Sequence, residues 1–128
     1  MTDGGRSLEG VSVLVVEDEG AVALLIEDML EDLGCQVAEC AASVSEGLTL
    51  AETATFDVAL LDVNLAGSRV DPIAAVLRRR GKPFAFASGY GAAAVPVGFE
   101  TAPVLAKPFS QADLERVIRH AIGAAGSR

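Results

Sequence analysis

The chain has 128 residues, 51% hydrophobic and only 5% aromatic, with a formal net charge of −8. This length suits one domain with a core of aliphatic side chains and alanines, and the composition excludes intrinsic disorder. The acidic balance excludes a nucleic-acid backbone as partner, since that binding relies on a basic patch, and no apolar run approaches membrane-spanning length.

Met1 to Gly10 carry acidic and glycine residues in place of a basic stretch before an apolar core, so they read as neither signal peptide nor anchor. The expected organisation is a flexible amino terminus over 1–9, a folded domain over 10–123 and a flexible tail over 124–128. A cytoplasmic location is the default. Val11 to Val16 is a short β-branched run suited to a strand covered on both faces, and it ends in Glu17-Asp18. Val22, Leu25, Ile26, Met29, Leu30 and Leu33 follow at helical spacing, with Glu27, Asp28, Glu31 and Asp32 opposite and Gly34 as a stop. Cys35 to Cys40 is a second strand candidate. Its two cysteines should point to opposite faces, which argues against a disulfide, and a two-cysteine metal site has no supporting ligands. Ser43 to Glu46 has the form of a capping box and opens a helix with Val44, Leu48 and Ala51 inward.

Phe56 to Leu61 is the third strand, with Asp62 after it. Asp71-Pro72 has the form of a helix cap followed by proline at the first position, with Ile73, Val76 and Leu77 inward. The basic run Arg78-Arg79-Arg80 falls at the end of that helix, where it complements the dipole. Pro83 to Ala87 reads as the fourth strand, ending at Ser88. Between Ser88 and Pro103, Gly89, Gly91, Pro96 and Gly98 oppose a regular helix. A short irregular crossover is expected there, with at most about one turn near Gly91 to Val95. Pro103 to Ala106 is the last strand, ending in Lys107-Pro108. Ser110 caps a final helix with Leu114, Val117, Ile118, Ala121 and Ile122 on one face. His120, beside that face, reads as a surface histidine.

The alternation of strands and helices predicts an α/β domain with a parallel sheet, whose ligands bind outside the carboxyl ends of the strands. Glu17, Asp18, Asp62 and Lys107 all fall at those ends. Three carboxylates placed together resist ionisation, and a hard divalent cation relieves the repulsion. The pattern reads as a Mg2+-assisted phosphoryl site with Asp62 as nucleophile.

Val-Leu-Val-Val-Glu17-Asp18-Glu19, Leu-Leu-Asp62-Val-Asn64-Leu and Lys107-Pro108-Phe109, in this order and over essentially the whole chain, resemble the receiver domains of two-component response regulators. The resemblance implies the flavodoxin-like doubly wound five-stranded parallel sheet, order 2-1-3-4-5, of a CheY-like stand-alone receiver. It implies Asp62 as phosphorylation site, Mg2+ held by Glu17, Asp18, Asp62 and the Asn64 backbone carbonyl, Ser88 as switch hydroxyl and Lys107 as its partner at the phosphoryl group. Glu17 replaces the more frequent aspartate. Phe84-Ala-Phe-Ala-Ser88-Gly89-Tyr90 resembles the subfamily marked by Pro-Phe-x-Phe-Ala-Thr-Gly-Tyr, whose fourth helix is degenerate, with Ser88 in place of threonine. The usual aromatic switch position is Val104, so Tyr90 is assigned a gating or reporting role, against the plainer reading of a ring packed over the sheet edge.

The implied partners are a sensor histidine kinase and a downstream or phosphotransfer protein, with the domain a monomer or weak homodimer. It is not expected to be an enzyme beyond taking part in its own phosphorylation and dephosphorylation. The carboxyl-terminal end leaves no room for an output domain, so the signal is expected to leave by protein contact, or the domain acts as a phosphate sink or relay. The alternatives are a degenerate receiver that binds proteins without phosphorylation and, from another class, an aspartate-nucleophile phosphatase of the haloacid dehalogenase kind. Such a phosphatase places a second aspartate where Asn64 stands. A flavodoxin would cradle phosphate where Glu17-Asp18-Glu19 would repel it.

Overall fold

The computed structural model describes residues 8–65 and 67–126. Five strands form one parallel sheet: β1 (Ser12–Val16), β2 (Gln36–Ala41), β3 (Val58–Asp62), β6 (Phe84–Ser88) and β7 (Val104–Ala106). Their order is β2-β1-β3-β6-β7. Counting only these strands, this is the expected 2-1-3-4-5. Between them lie helices α1 (Gly20–Asp32), α2 (Val44–Thr53), α3 (Asp71–Arg79) and α4 (Gln111–Gly126). The β6–β7 crossover holds only a 3-10 turn, Gly91–Ala94, as its glycines and proline dictate. A short antiparallel hairpin, β4 (Asn64–Leu65) with β5 (Ser68–Arg69), was not legible in the sequence.

Alternate residues of each strand face opposite layers, and that period builds two cores. Leu14, Val16, Ala59, Leu61 and Phe86 pack under α2 and α3 with Phe99. Val13, Val15, Val58, Leu60, Ala85, Ala87 and Leu105 pack under α1 and α4. Leu8 joins the second layer, so packing starts inside the segment expected to be flexible; residues 1–7, 127 and 128 lie outside the described residues. The last helix continues to Gly126, past the expected boundary at 123. Among the described residues no helix is long and apolar enough to cross a membrane.

Two local expectations are corrected. Leu25 is exposed, and Ala23 joins Ile26 and Leu30 in the buried stripe of α1. One residue is about 100° of helix, so Leu25 sits off a stripe centred on Ile26 and Leu30. Asp71 is not the cap of α3. Val70 is, its carbonyl accepting from the amides of Ile73 and Ala74, while Asp71 accepts from Arg69 Nε at 3.0 Å. The expected capping box of α2 is present: Ser43 Oγ accepts from the Glu46 amide at 3.1 Å, and Glu46 Oε1 accepts from the Ala42 amide at 2.9 Å.

The three arginines do more than complement a dipole. Arg78 donates to the Gly98 carbonyl at 2.7 Å, Arg79 contacts Glu52 at 3.5 Å, and Arg80 donates to the Ala51 carbonyl. They tie α3 to its neighbours and form no free basic patch. Cys35 is buried and Cys40 exposed, both as free thiols; a register shift within the β1–β2 pairing breaks the simple alternation expected between them.

The start of α4 gives a stability prediction. Ser110 Oγ accepts from the Asp113 amide at 3.1 Å, and Asp113 accepts from the Ser110 amide at 2.9 Å. Ser110→Ala is expected to cost about 1 kcal/mol, read as a melting temperature lower by roughly 4 °C. The Ser110 amide, then Arg116, holds the Asp113 carboxyl below its ordinary 3.8. A depressed carboxyl pKa adds stability above the unfolded value and loses it as pH falls through the folded one. The penalty of Asp113→Asn is therefore expected at pH 7 and should fade as pH falls below the ordinary 3.8 in acid titrations followed by circular dichroism.

Candidate functional site

The sheet's switch point lies between β1 and β3, whose following helices go to opposite faces. Register sets the site. Val16 pairs with Leu61, so Glu17 follows at the height of Asp62, itself the last residue of β3. Asp62 pairs with Ala87, and Ser88 pairs with Ala106, one residue before Lys107. Carboxylate oxygens of Glu17, Asp18 and Asp62 lie within 4.8 Å of one another. Lys107 reaches across from the edge strand, its Nζ 3.1 Å from Glu17 Oε1 and 3.3 Å from Asp62 Oδ2. Four of the residues singled out from sequence thus meet in one cluster.

Burial makes these charges matter. Glu17 is 3% exposed and Asp62 8%. Burial, opposed by the Glu19 amide and Lys107 and reinforced by Asp62, pushes the Glu17 carboxyl above its ordinary 4.5. For Lys107 burial acts downward, but the hydrogen bonds and charges of Glu17 and Asp62 outweigh it and hold the ammonium above 10.5. The longer side chain of Glu17 is used: Oε1 meets Lys107, and Oε2 accepts from the Glu19 amide at 3.2 Å. That amide, at the entry to α1, is a positioning group the sequence reading missed. The only local signal was a carboxylate just ahead of a helix start.

Around this cluster the other predicted residues are placed as follows. The Asn64 amide donates to Asp62 Oδ1 at 3.3 Å, and its side-chain oxygen accepts from the Gly67 amide at 3.1 Å. Ser88 is fully buried, and its Oγ accepts from the Tyr90 amide at 2.9 Å. The Tyr90 ring is 81% exposed, so it is not packed over the sheet edge. It borders an open groove of about 480 Å³ with Asn64, Arg69, Ala93 and Val97. The Tyr90 backbone, not its ring, touches the buried hydroxyl. Val104 is half-buried on β7 opposite Phe86. His120 carries no contact with the cluster's ion pairs.

The donor set is oxygen only, with three carboxylates and one lysine as counter-charge. That chemistry fits a hard cation such as Mg2+ and does not fit softer metals, which favour nitrogen and sulfur.

A model of the response regulator receiver domain matches residues 13–119. Curated protein sequences give no match. Among solved structures, SdrG from Sphingomonas melonis Fr1 is 35% identical, covers 91% of this chain and 95% of its own, and superposes with a TM-score of 0.77. The receiver domain of the sensor histidine kinase PA1611 from Pseudomonas aeruginosa PAO1 has a magnesium ion coordinated in its active-site cleft. It is 28% identical over 89% of this chain and 98% of its own, with a TM-score of 0.73. The anti-anti-sigma factor PhyR from Bartonella quintana matches in fold at 24% identity and a TM-score of 0.77, covering 92% of this chain. This chain spans about half of that protein's length, 49%.

Proposed function

The chain belongs to the response regulator receiver family, and from that premise we propose that it is a phospho-accepting switch whose nucleophile is Asp62. The observation that carries this reading is the convergence of Glu17, Asp18, Asp62 and Lys107 at the switch point of the sheet. An Asp62 carboxylate oxygen forms a bond to the phosphorus presented by a sensor kinase's phosphohistidine. The phosphorus–nitrogen bond breaks, and the electron pair leaves with the imidazole. Glu17, Asp18, Asp62 and the Asn64 backbone carbonyl are the groups to hold Mg2+, which when bound supplies charge to neutralise the phosphoryl oxygens.

The chain's own residues do the rest. The contact of Lys107 with Asp62 supports a role for its ammonium in pairing with a phosphoryl oxygen. Ser88 Oγ uses a lone pair on the Tyr90 amide, which leaves its proton to donate to the phosphoryl group. A new acceptor there biases the segment after Ser88 through that same hydrogen bond, and differential contacts of this kind shift a population. Tyr90, exposed on that segment, is assigned the reporting role. The output is a protein contact, or the domain is a sink or relay for phosphate.

Intact mass after incubation with Mg2+ and acetyl phosphate tests this. One adduct of about 80 Da is expected, the mass of a phosphoryl group. An unmodified protein, under conditions that label a known receiver and with a cognate kinase also inactive, would overturn it in favour of a phosphorylation-independent binding module.

Mg2+ is expected to raise the melting temperature. At a hundredfold excess over Kd the gain is about 2.7 kcal/mol, or roughly 10 °C for a domain of this size. Because the Glu17 carboxyl titrates above 4.5, protons compete with the metal as pH falls toward that value. The gain should shrink between neutral and mildly acidic pH, measured by thermal melts with and without Mg2+.

A further inference from the structure

The β6–β7 crossover has two unlike halves. Residues 89–95 are small apart from Tyr90, with Gly91 at φ 61° opening the 3-10 turn. Ala94 and Val95 are partly buried against the core. Residues 96–102 are held at several points. Pro96 is buried, the Phe99 amide donates to the Pro96 carbonyl at 3.1 Å, and the Ala102 amide donates to the Phe99 carbonyl at 3.1 Å. The Phe99 ring meets Phe84 and Phe86 edge-on, with centroids 5.9 and 6.1 Å away.

Arg78, the first of the three arginines on α3, closes this second half from outside. Its guanidinium lies 4.0 Å above the Phe99 ring centroid and donates to the Gly98 carbonyl at 2.7 Å. Gly98 sits at φ 95°, a conformation that favours glycine and turns its carbonyl to the arginine. The Gly98 amide is taken by both oxygens of Glu100 at 3.1 Å. One side chain thus engages a ring and a carbonyl at consecutive positions.

We propose that Arg78, acting through Gly98 and Phe99, is a positioning residue that rivets the far half of the crossover to α3. Movement set off at Ser88 is thereby confined to residues 89–95 and shown to partners beside Tyr90. This rests on the phosphoryl reading of Asp62 and Ser88. Physically, a switch segment transmits a signal only if one end stays fixed while the other responds. A crossover with no regular helix lacks the continuous hydrogen-bond ladder that would supply stiffness. The rivet supplies that fixed end from a neighbouring helix.

Residue-resolved amide exchange on wild type, Arg78→Ala and Arg78→Lys tests this, each measured before and after phosphorylation with the adduct checked by intact mass. In unmodified Arg78→Ala, the Phe99 and Ala102 amides are expected to exchange about tenfold faster than in wild type, the factor for losing roughly one charge-assisted hydrogen bond. In wild type, phosphorylation alters exchange over 89–95 and leaves Phe99 and Ala102 unchanged. In Arg78→Ala, with the same adduct mass, the change spreads through 98–102, and Arg78→Lys restores part of the boundary.

Unaltered exchange at Phe99 and Ala102 in Arg78→Ala overturns the proposal. So does a wild-type response that already runs through 98–102. Absence of any adduct in wild type counts against the phosphoryl reading, while the unmodified proteins still decide whether Arg78 anchors the segment.

Discussion

Replacing Asp62 by alanine is expected to abolish the phosphoryl adduct completely while leaving the fold at least as stable as before. Asp18, the more exposed neighbour, is assigned to the metal in this reading. Glu17 is engaged through both oxygens, by Lys107 and by the Glu19 amide. The stability half of the prediction is a balance. The substitution loses the 3.3 Å contacts of Asp62 with Lys107 and with the Asn64 amide. Each is worth about 1 kcal/mol net. It also removes a carboxylate whose oxygens lie within 4.8 Å of those of Glu17 and Asp18. Two unit charges at that distance repel by about 3 kcal/mol at an effective dielectric near 20. Two such pairs, with Glu17 and with Asp18, are relieved, which outweighs the lost contacts even after water screens the half-exposed Asp18, so the melting temperature should hold or rise without Mg2+. A large loss of stability would make an absent adduct uninformative, which is why thermal melts accompany the mass measurement.

Lys107→Met is expected to act in the opposite sense, on stability first. The methionine keeps much of the apolar stem and removes the ammonium that faces Glu17 and Asp62. Removing one partner of a buried ion pair leaves its carboxylates uncompensated, at about 3–5 kcal/mol. The Lys107 side chain is 22% exposed, so water screens part of this and the lower end of that range applies. The melting temperature should fall by roughly 10 °C.

Two further signatures follow for Lys107→Met. The Glu17 carboxyl is already raised by burial, so its ionised form opposes folding, and stability is lost as pH rises through that pKa. Without Lys107 the opposition grows, and the variant's deficit should be largest near neutral pH and shrink toward pH 4.5. In wild type the Lys107 contribution holds below its ordinary 10.5 and fades as pH climbs past its raised value. Mg2+ should stabilise the variant more than wild type, because it replaces the missing positive charge. Equal Mg2+ effects in the two proteins would argue against a metal at these carboxylates.

The sequence by itself determined the period, order and chemistry of this protein. Period-2 and period-3.6 apolar patterns are local, so the parallel sheet, its four helices and the broken fourth crossover could be read from one dimension. The acids and the lysine at strand ends were legible for the same reason: a parallel strand's carboxyl end is fixed by its direction. Tertiary structure decided what depends on partners far apart in the chain. It chose Ala23 over Leu25 for the buried stripe of α1, because the helix's rotation is set by the sheet it covers. It brought Lys107 to Glu17 across 90 residues, and turned Arg78 onto Gly98 and Phe99 across a gap no periodicity describes. Such pairings arise from crossover geometry and packing, where side chains meet only after the layers have closed.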